Sequence, residues 1–336
     1  MGRPLPATAR SRPRVGKSYL VWLGLAISAG FTYLAVRGVN FDDVWAGLRE
    51  SNYWWLLPSI GLLAVALPLR ALRWQYLFAA ETRPPYRPVL YATIIGQLFN
   101  NILPARAGEA ARVVALSVGA NVSTAETFTT VLVERLFDVL ALLVMLFLLL
   151  PWLPHVTWLH AAAGLAIGLA ALTVGVVVLL AVFGDRPVRW VLRPLARLPY
   201  LSLERTERAA ASFVRGAAAL RDWKLAAIAL VLTAVSWILL ALSTWVLMLG
   251  FHFGISPLAG ALVTVAVGLS LVIPSSPAAV GVFETAALIG LEAYGVGKSD
   301  ALPYALVLHA VNFFPYVIAG LIVLQAHALT PRKKEA

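Results

Sequence analysis

The sequence has 336 residues, a length that usually corresponds to two soluble domains. Sixty per cent of the residues are hydrophobic and 13 per cent are charged, whereas soluble domains carry about 25 per cent charged residues. A soluble fold of this size could not bury so much apolar surface, so the composition predicts an all-α polytopic membrane protein. The formal net charge is +11, and the absence of cysteine excludes disulfides, thiolate catalysis and cysteine metal sites.

Six stretches are long and apolar enough to cross a bilayer, whose core takes about 20 residues as a helix. We predict full spans near residues 18–36, 53–78, 129–150, 161–183, 225–249 and 301–328. Two further stretches, Pro88 to Ala105 and Pro257 to Phe283, are interrupted by polar residues and prolines. Each is predicted to form either a re-entrant hairpin of two half-helices or two short spans. Irregular backbone survives at membrane depth only where protein or a water-filled cavity satisfies it.

The positions of the basic residues predict the orientation of the chain. With the N-terminus inside and each interrupted stretch returning to its starting side, only Arg37, Arg49 and Lys298 face outward. The cytoplasmic segments are then Arg70 to Arg87, a basic loop at 184–224, and basic tails at 1–17 and 329–336. This excess of inward Lys and Arg predicts a multi-pass protein of the plasma (inner) membrane with both termini cytoplasmic. It also accounts for the net charge without a nucleic-acid partner.

The order of spans and interrupted stretches repeats along the chain. A single membrane domain at 18–328 divides into halves at about 18–150 and 161–328, and each half reads span, span, hairpin, span. Because the two hairpins start from opposite sides, this order predicts a 4+4 inverted repeat. The hairpins share a fragment, Pro104-x-x-x-Gly108 in the first and Pro277-x-x-x-Gly281 in the second. Inverted repeats with paired broken helices form a binding site near the midplane in many transporters.

Charged side chains cluster around the first interrupted stretch. Arg106, Glu109 and Arg112 are spaced three apart, so Glu109 can reach either arginine on one side of a helix. The next span begins with three more charges in the string Glu134-Arg135-Leu-Phe-Asp138. Ionisable groups at membrane depth usually face a cavity, and two guanidinium groups near a helix N-terminus suit a phosphate. The alternatives are an interfacial ion-pair cluster and a salt-bridge network that fixes the hairpin to the next span.

The second interrupted stretch carries fewer charges. Ser275 and Ser276 are predicted to cap the half-helix that follows them. Glu284 lies on its apolar arm and is interpreted either as a proton-coupling group or as a hydrogen-bonded core acid. In the last span, His309 and Asn312 are interpreted either as lining a cavity or as pairing internally.

Three ordered motifs in this chain resemble one known family. They are Asn-x-x-Leu-Pro-x-Arg-x-Gly-Glu-x-x-Arg ending at Arg112, Glu-Arg-x-x-Asp ending at Asp138, and Pro-x-x-x-Gly-Val-Phe-Glu ending at Glu284. The family is the flippase-like membrane domain of the lysylphosphatidylglycerol synthases, and the resemblance covers roughly residues 15–330. The family usually has Pro-Gly-Gly at the second hairpin, where this chain has Pro277-Ala278-Ala279. Backbone with positive φ would be strained at these alanines.

The resemblance implies a role in moving a lipid between leaflets. In two-domain members, a separate cytosolic synthase domain makes the aminoacylated phospholipid, and we expect no such domain here because no soluble segment exceeds about 40 residues. The motifs and their neighbours give the predicted substrate-binding residues: Asn100, Asn101, Pro104, Arg106, Gly108, Glu109, Arg112, Glu134, Arg135, Asp138, Pro277, Gly281 and Glu284.

The leading hypothesis is therefore an integral-membrane lipid transporter, with membrane lipids carrying an anionic headgroup as its partners. No catalytic residue, nucleotide motif, metal site or cofactor is predicted. One alternative is a membrane-embedded enzyme acting on a lipid-linked substrate, of the glycolipid-synthesis type. Another is a scaffold that binds a cytosolic or membrane lipid-synthesis enzyme. The lipid, the energy source, the direction of transport and the oligomeric state remain open at this point.

Overall fold

The computed structural model describes residues 18–104, 107–153, 157–183, 220–271 and 275–329, together with 186, 211–212 and 215–217. The predicted tails, most of the loop at 184–224 and Arg106 lie outside the described residues. The described residues form eleven α-helices: α1 Ser18–Val36, α2 Phe41–Glu50, α3 Leu56–Tyr76, α4 Tyr86–Ile102, α5 Ala107–Ala120, α6 Thr124–Leu149, α7 Thr157–Phe183, α8 Trp223–Gly250, α9 Pro257–Ser270, α10 Val282–Glu292 and α11 Lys298–Leu329.

Three helices of the described chain are long and apolar enough to cross a membrane: the segments at 53–76, 223–250 and 298–326. A fourth span is added if α1 and α2, which meet at a bend of 83°, count together as one. Helix α6 has 26 residues, about 39 Å of helix, but Glu134, Arg135 and Asp138 lie in it and lower its apolar character. The chain is thus a helical membrane protein, and six full spans remain a prediction.

Helices α3 and α8 pack closely against each other. Ser59 Oγ and Ser243 Oγ are 2.9 Å apart between these helices, and each serine hydroxyl also lies within hydrogen-bond distance of the backbone carbonyl of the other residue. Small residues that let helices approach closely, with hydroxyls bonded across them, are typical of packing inside a membrane.

Both interrupted stretches fold back on themselves as pairs of helices. Helix α4 packs against α5, and α9 packs against α10. The first break follows α4 at Leu103 and Pro104, which no longer have α-helical structure. The first helix of each pair also packs against a long helix of the other half of the chain, α4 against α11 and α9 against α6. The two hairpins therefore lie side by side with α6 and α11 around the centre of the molecule.

The second break contains backbone in the left-handed region. Ala278 and Ala279 both have φ of 58°, and Gly281 has φ of 82°. The expectation that positive φ would strain the two alanines thus applies to this structure, because Cβ crowds the carbonyl oxygen in that region. The prediction that Ser276 caps the following helix is wrong. The Glu284 carboxylate instead accepts a hydrogen bond from the Gly281 N–H at 2.7 Å.

Helix α3 ends at Tyr76, close to the predicted end of this span at residue 78. Arg70 and Arg73 were assigned to a cytoplasmic segment, but both lie within α3. The Arg73 side chain is completely buried. Arginine at the end of an apolar run is normally an interfacial residue, whereas here buried acids on α6 compensate the charge of Arg73.

Candidate functional site

A cavity of about 580 Å³ lies between the two hairpins and the long helices around them. One part of its wall is apolar, with leucines and valines from α3, α6, α9 and α11. Another part is charged, with the side chains Arg70, Glu109, Arg112, Glu134, Arg135 and Asp138. A cavity with both kinds of wall can hold a molecule that has a polar group attached to a hydrocarbon chain.

Arg73 connects α3 to α6 at the charged end of the cavity. Its Nη1 donates to Asp138 Oδ1 at 2.6 Å, and its Nη2 donates to Glu134 Oε1 at 2.5 Å. Nη1 also lies 3.2 Å from Thr233 Oγ1 of α8, and Trp237 Nε1 donates to Asp138 Oδ1 at 3.2 Å. Two carboxylates one helical turn apart thus share one buried guanidinium, which offsets the cost of removing them from water.

Arg112 connects the first hairpin to the same acids. Its guanidinium lies 2.7 Å from Glu109 Oε2 and 2.9 Å from Glu134 Oε2. The same group lies over the ring of Trp74, 4.7 Å from the ring centroid, in a cation–π arrangement. The predicted reach of Glu109 to an arginine three residues away is therefore realised with Arg112.

Arg135 completes the network from the other side of α6. Its guanidinium lies 3.3 Å from Asp138 and Glu134 and 3.7 Å from Glu109. Its side chain is 31 per cent exposed, whereas that of Arg73 has no exposure. The arrangement contains the predicted i,i+3 pair of Arg135 and Asp138, and it has the form of a salt-bridge network that joins α3, α5 and α6.

Arg70 differs from the other arginines at this cavity. It lies one helical turn before Arg73 and lines the cavity, but among the described residues no hydrogen bond or carboxylate within 4.0 Å of its guanidinium is found. Asp138 attracts it over a longer distance, while Arg73 and Arg135 repel it. The Gln97 amide and the Tyr316 hydroxyl also line the cavity, and neither is hydrogen-bonded to another side chain or backbone group in the described part of the chain.

The second hairpin contributes a single hydrogen-bonded pair rather than a network. Glu284 Oε1 lies 2.5 Å from His309 Nδ1, and the other carboxylate oxygen accepts from the Gly281 N–H. The His309 ring stacks on Phe283 at a centroid distance of 4.5 Å. His309, Asn312 and Phe283 line the cavity, whereas Glu284 lies outside its described wall. His309 thus both lines the cavity and pairs internally, two interpretations that the sequence had left as alternatives.

The structure separates the predicted site residues into two groups. Those on the wall of the cavity are Asn100, Asn101, Glu109, Arg112, Glu134, Arg135 and Asp138. Those off its wall, among the described residues, are Pro104, Gly108, Pro277, Gly281 and Glu284. Arg106 lies outside the described residues.

The two predicted glycines have a packing role. A Cβ on Gly108 would collide with the carbonyl oxygen of Gly96 in α4, and a Cβ on Gly281 would collide with Thr32 in α1. Glycine at these positions lets the second arm of each hairpin lie directly against a neighbouring helix. These residues therefore shape the site through the backbone.

Sequence reasoning missed Arg70 and Arg73 as site residues. Both lie at the end of an apolar run, and they are three residues apart on one side of a helix. A signal was nevertheless present, because Glu134 and Asp138 lie one turn apart on the next long helix and need cationic partners. The two arginines of α3 have a similar spacing, so they could have been predicted to pair with these acids.

Comparison with known families gives an independent result. The sequence model described as "Lysylphosphatidylglycerol synthase TM region" matches residues 21–320. No curated protein matches the sequence. The matched region contains every described helix that borders the cavity, apart from the last residues of α11.

Proposed function

The chain belongs to the family of the lysylphosphatidylglycerol synthase TM region, and on that basis we propose that it moves a lipid with an anionic headgroup between membrane leaflets. The headgroup occupies the charged end of the cavity, and the acyl chains stay against its apolar wall or in the bilayer. The single observation that carries this proposal is the cavity itself, where leucine and valine side chains and an arginine-rich cluster face the same space.

The packing of the hairpins supports an inverted repeat and alternating access. Helix α4 packs on α11 and α9 packs on α6, so each half of the chain holds the hairpin of the other. A reciprocal arrangement of this kind is what a 4+4 inverted repeat produces. Rocking of one half against the other then opens the cavity to alternate sides, as in transporters built from inverted repeats.

The state of the acids favours transport over catalysis. Glu109, Glu134 and Asp138 each lie within 4.0 Å of at least two guanidinium groups. A carboxylate held as an anion between arginines is a poor general acid. The same pairing suits a preformed binding site whose walls keep their charge while a ligand enters and leaves.

Reconstitution into liposomes tests the proposal. Vesicles of phosphatidylcholine that contain a trace of fluorescent phosphatidylglycerol are treated with a membrane-impermeant quencher after protein has been incorporated. We expect a larger quenched fraction than in protein-free vesicles, because lipid from the inner leaflet becomes accessible. The assay is repeated with a fluorescent phosphatidylcholine and with an imposed pH gradient in either direction.

The variant Arg112→Ala/Arg135→Ala is the matched control, since it removes two arginines of the cavity wall. Its reconstituted amount and its helix content by circular dichroism are measured alongside. If the wild-type protein and this variant both match protein-free vesicles for every lipid and gradient, lipid transport is wrong.

A further inference from the structure

The guanidinium groups in and behind the cavity wall outnumber the carboxylates. Arg73, which is buried behind the cavity wall, Arg112 and Arg135 form one connected network with Glu109, Glu134 and Asp138, so the network holds three charges of each sign. Arg70 lines the cavity outside that network. Glu284 does not line the cavity and is already bound by the Gly281 N–H and by His309. Among the described residues, the charged end of the cavity therefore carries an excess of one positive charge.

The excess charge has a definite location. Arg73, Arg112 and Arg135 each lie within 4.0 Å of at least two carboxylates. Arg70 is the described arginine of the cavity wall without a hydrogen bond or an ion pair. A guanidinium in an apolar helix with no anion in contact is unfavourable, and a bound anion would offset that cost.

Two neutral groups on the wall of the same cavity suit the same anion. The side chains of Gln97 on α4 and Tyr316 on α11 line the cavity and make no hydrogen bond within the described part of the chain. Tyr316 is close enough to Arg70 to interact with it electrostatically. An amide N–H and a phenol O–H are hydrogen-bond donors, so guanidinium, amide and hydroxyl all offer donors to an oxyanion.

We propose that Arg70, together with Gln97 and Tyr316, binds the phosphate diester of a lipid with a net negative headgroup. The inference rests on the proposed function and names the substrate class of that site. A phosphate diester carries one negative charge, which matches the excess of one guanidinium. Lysine esterified to the headgroup of such a lipid adds ammonium groups near the phosphate, and these would meet arginines whose carboxylate partners are already engaged. The site therefore selects the unmodified anionic lipid over the lysyl form.

Lipid binding to the purified full-length protein tests this assignment without any transport step. Native mass spectrometry in detergent measures the bound fraction for phosphatidylglycerol, lysylphosphatidylglycerol and phosphatidylcholine with identical acyl chains. We expect phosphatidylglycerol to bind about 10-fold more tightly than the lysyl form, or better. We expect Arg70→Gln to weaken phosphatidylglycerol binding by about 10- to 100-fold, the loss of one charge-assisted hydrogen-bonded group. Binding of phosphatidylcholine changes less, because its own ammonium already balances the phosphate.

Arg70→Lys and a melting curve separate binding from folding. The lysine keeps the charge but not the planar fork of donors, so its affinity should lie between those of the wild type and Arg70→Gln. Because Arg70 has no described partner to lose, Arg70→Gln should melt at or above the wild-type temperature. Glycerophosphate is added as a competitor. If it displaces the lipid at equal concentration, the site recognises a free phosphate ester and the lipid assignment is wrong.

The outcomes distinguish this inference from the proposed function. Wild-type protein that binds phosphatidylglycerol through Arg70 but does not move it in liposomes would contradict transport and leave the binding site intact. Equal transport of phosphatidylglycerol by the wild type and by the Arg70→Gln variant would contradict the binding site and leave transport intact. Equal affinity for the lysyl lipid and for phosphatidylglycerol would also overturn the inference.

Discussion

The two helical hairpins begin their second arms alike and use them differently. Helix α5 carries Glu109 in its first turn, and α10 carries Glu284 in its first turn. Glu109 pairs with Arg112 one turn later on α5 and with Arg135 on α6, whereas Glu284 binds the backbone of its own helix start and His309. The same element therefore forms part of a charged wall in one half of the chain and a local cap in the other.

The described part of the second turn has backbone in the left-handed region. Ala278 and Ala279 both have φ of 58° there, and Gly281 follows with φ of 82°. The charged hairpin, α4 and α5, is thus fixed by side chains from α3 and α6. The apolar hairpin, α9 and α10, instead has a strained turn and a helix cap of its own. This difference suggests that the first hairpin supplies recognition and that the second supplies shape.

The largest loss of stability is expected from substituting Arg73, the buried cation that pairs with Glu134 and Asp138 on α6. Arg73→Met leaves Glu134 and Asp138 without their shared buried guanidinium. We expect the free energy of unfolding to fall by about 3–5 kcal/mol, the usual result of breaking a buried ion pair from one side. Unfolding by sodium dodecyl sulfate titration in mixed micelles, followed by circular dichroism, measures the change.

Arg70→Met is the matched control for that variant, since it changes the same residue type one turn earlier on α3. It should unfold at a detergent fraction equal to or above that of the wild type, because no described carboxylate loses its partner. If Arg73→Met and Arg70→Met destabilise the protein equally, the ion pairs of Arg73 do not account for the stability of the charged hairpin.

A smaller effect is expected at the cap of the apolar hairpin. Glu284→Gln keeps an oxygen that can accept from the Gly281 N–H but removes the charge that faces His309. We expect a loss of about 1–2 kcal/mol in the free energy of unfolding, since a hydrogen bond to a charged group contributes about 1.5–3 kcal/mol. The same titration checks it. A loss as large as that of Arg73→Met would mean that both hairpins depend on buried charge to the same degree.

The smallest effect is expected to be a gain. Ala278→Gly relieves a left-handed alanine at the second turn, where φ is 58°. We expect the free energy of unfolding to rise by about 0.5–1 kcal/mol, because glycine adopts positive φ without the Cβ contact but has more backbone freedom to lose. The melting temperature in detergent should rise accordingly.

Ala286→Gly serves as the control for the strained turn. This alanine is buried within α10, where glycine costs about 1 kcal/mol relative to alanine. The two Ala-to-Gly variants should therefore shift the melting temperature in opposite directions. A fall at Ala278 comparable with that at Ala286 would refute strain in this turn.

The sequence predicted the local features of this fold well. Apolar runs located the long helices, and three-residue spacing identified the pairs of Glu109 with Arg112 and of Arg135 with Asp138. The proline-rich second break was also predicted. These features depend on residues that are close in the sequence, where helix geometry alone decides which side chains meet.

The features that depended on distant residues were not predicted. Arg73 meets Glu134 and Asp138 across more than 60 residues, and nothing in its own surroundings distinguishes it from an interfacial arginine. Arg70 faces the cavity only because α3 packs beside α6 and α11. Helix pairing inside an apolar protein is set by the fit of side chains over many residues, which a span pattern does not contain.

Passage of lipid through the cavity can be tested most directly by closing the cavity chemically. The chain has no cysteine, so Val267→Cys on the cavity wall gives a single reactive thiol without other changes, and Val144→Cys on an exposed face of α6 gives its control. Both purified variants are labelled with a bulky maleimide, reconstituted and assayed for translocation of fluorescent phosphatidylglycerol. We expect labelling at residue 267 to abolish translocation and labelling at residue 144 to leave it unchanged. Undiminished translocation with residue 267 fully labelled would contradict a pathway through this cavity.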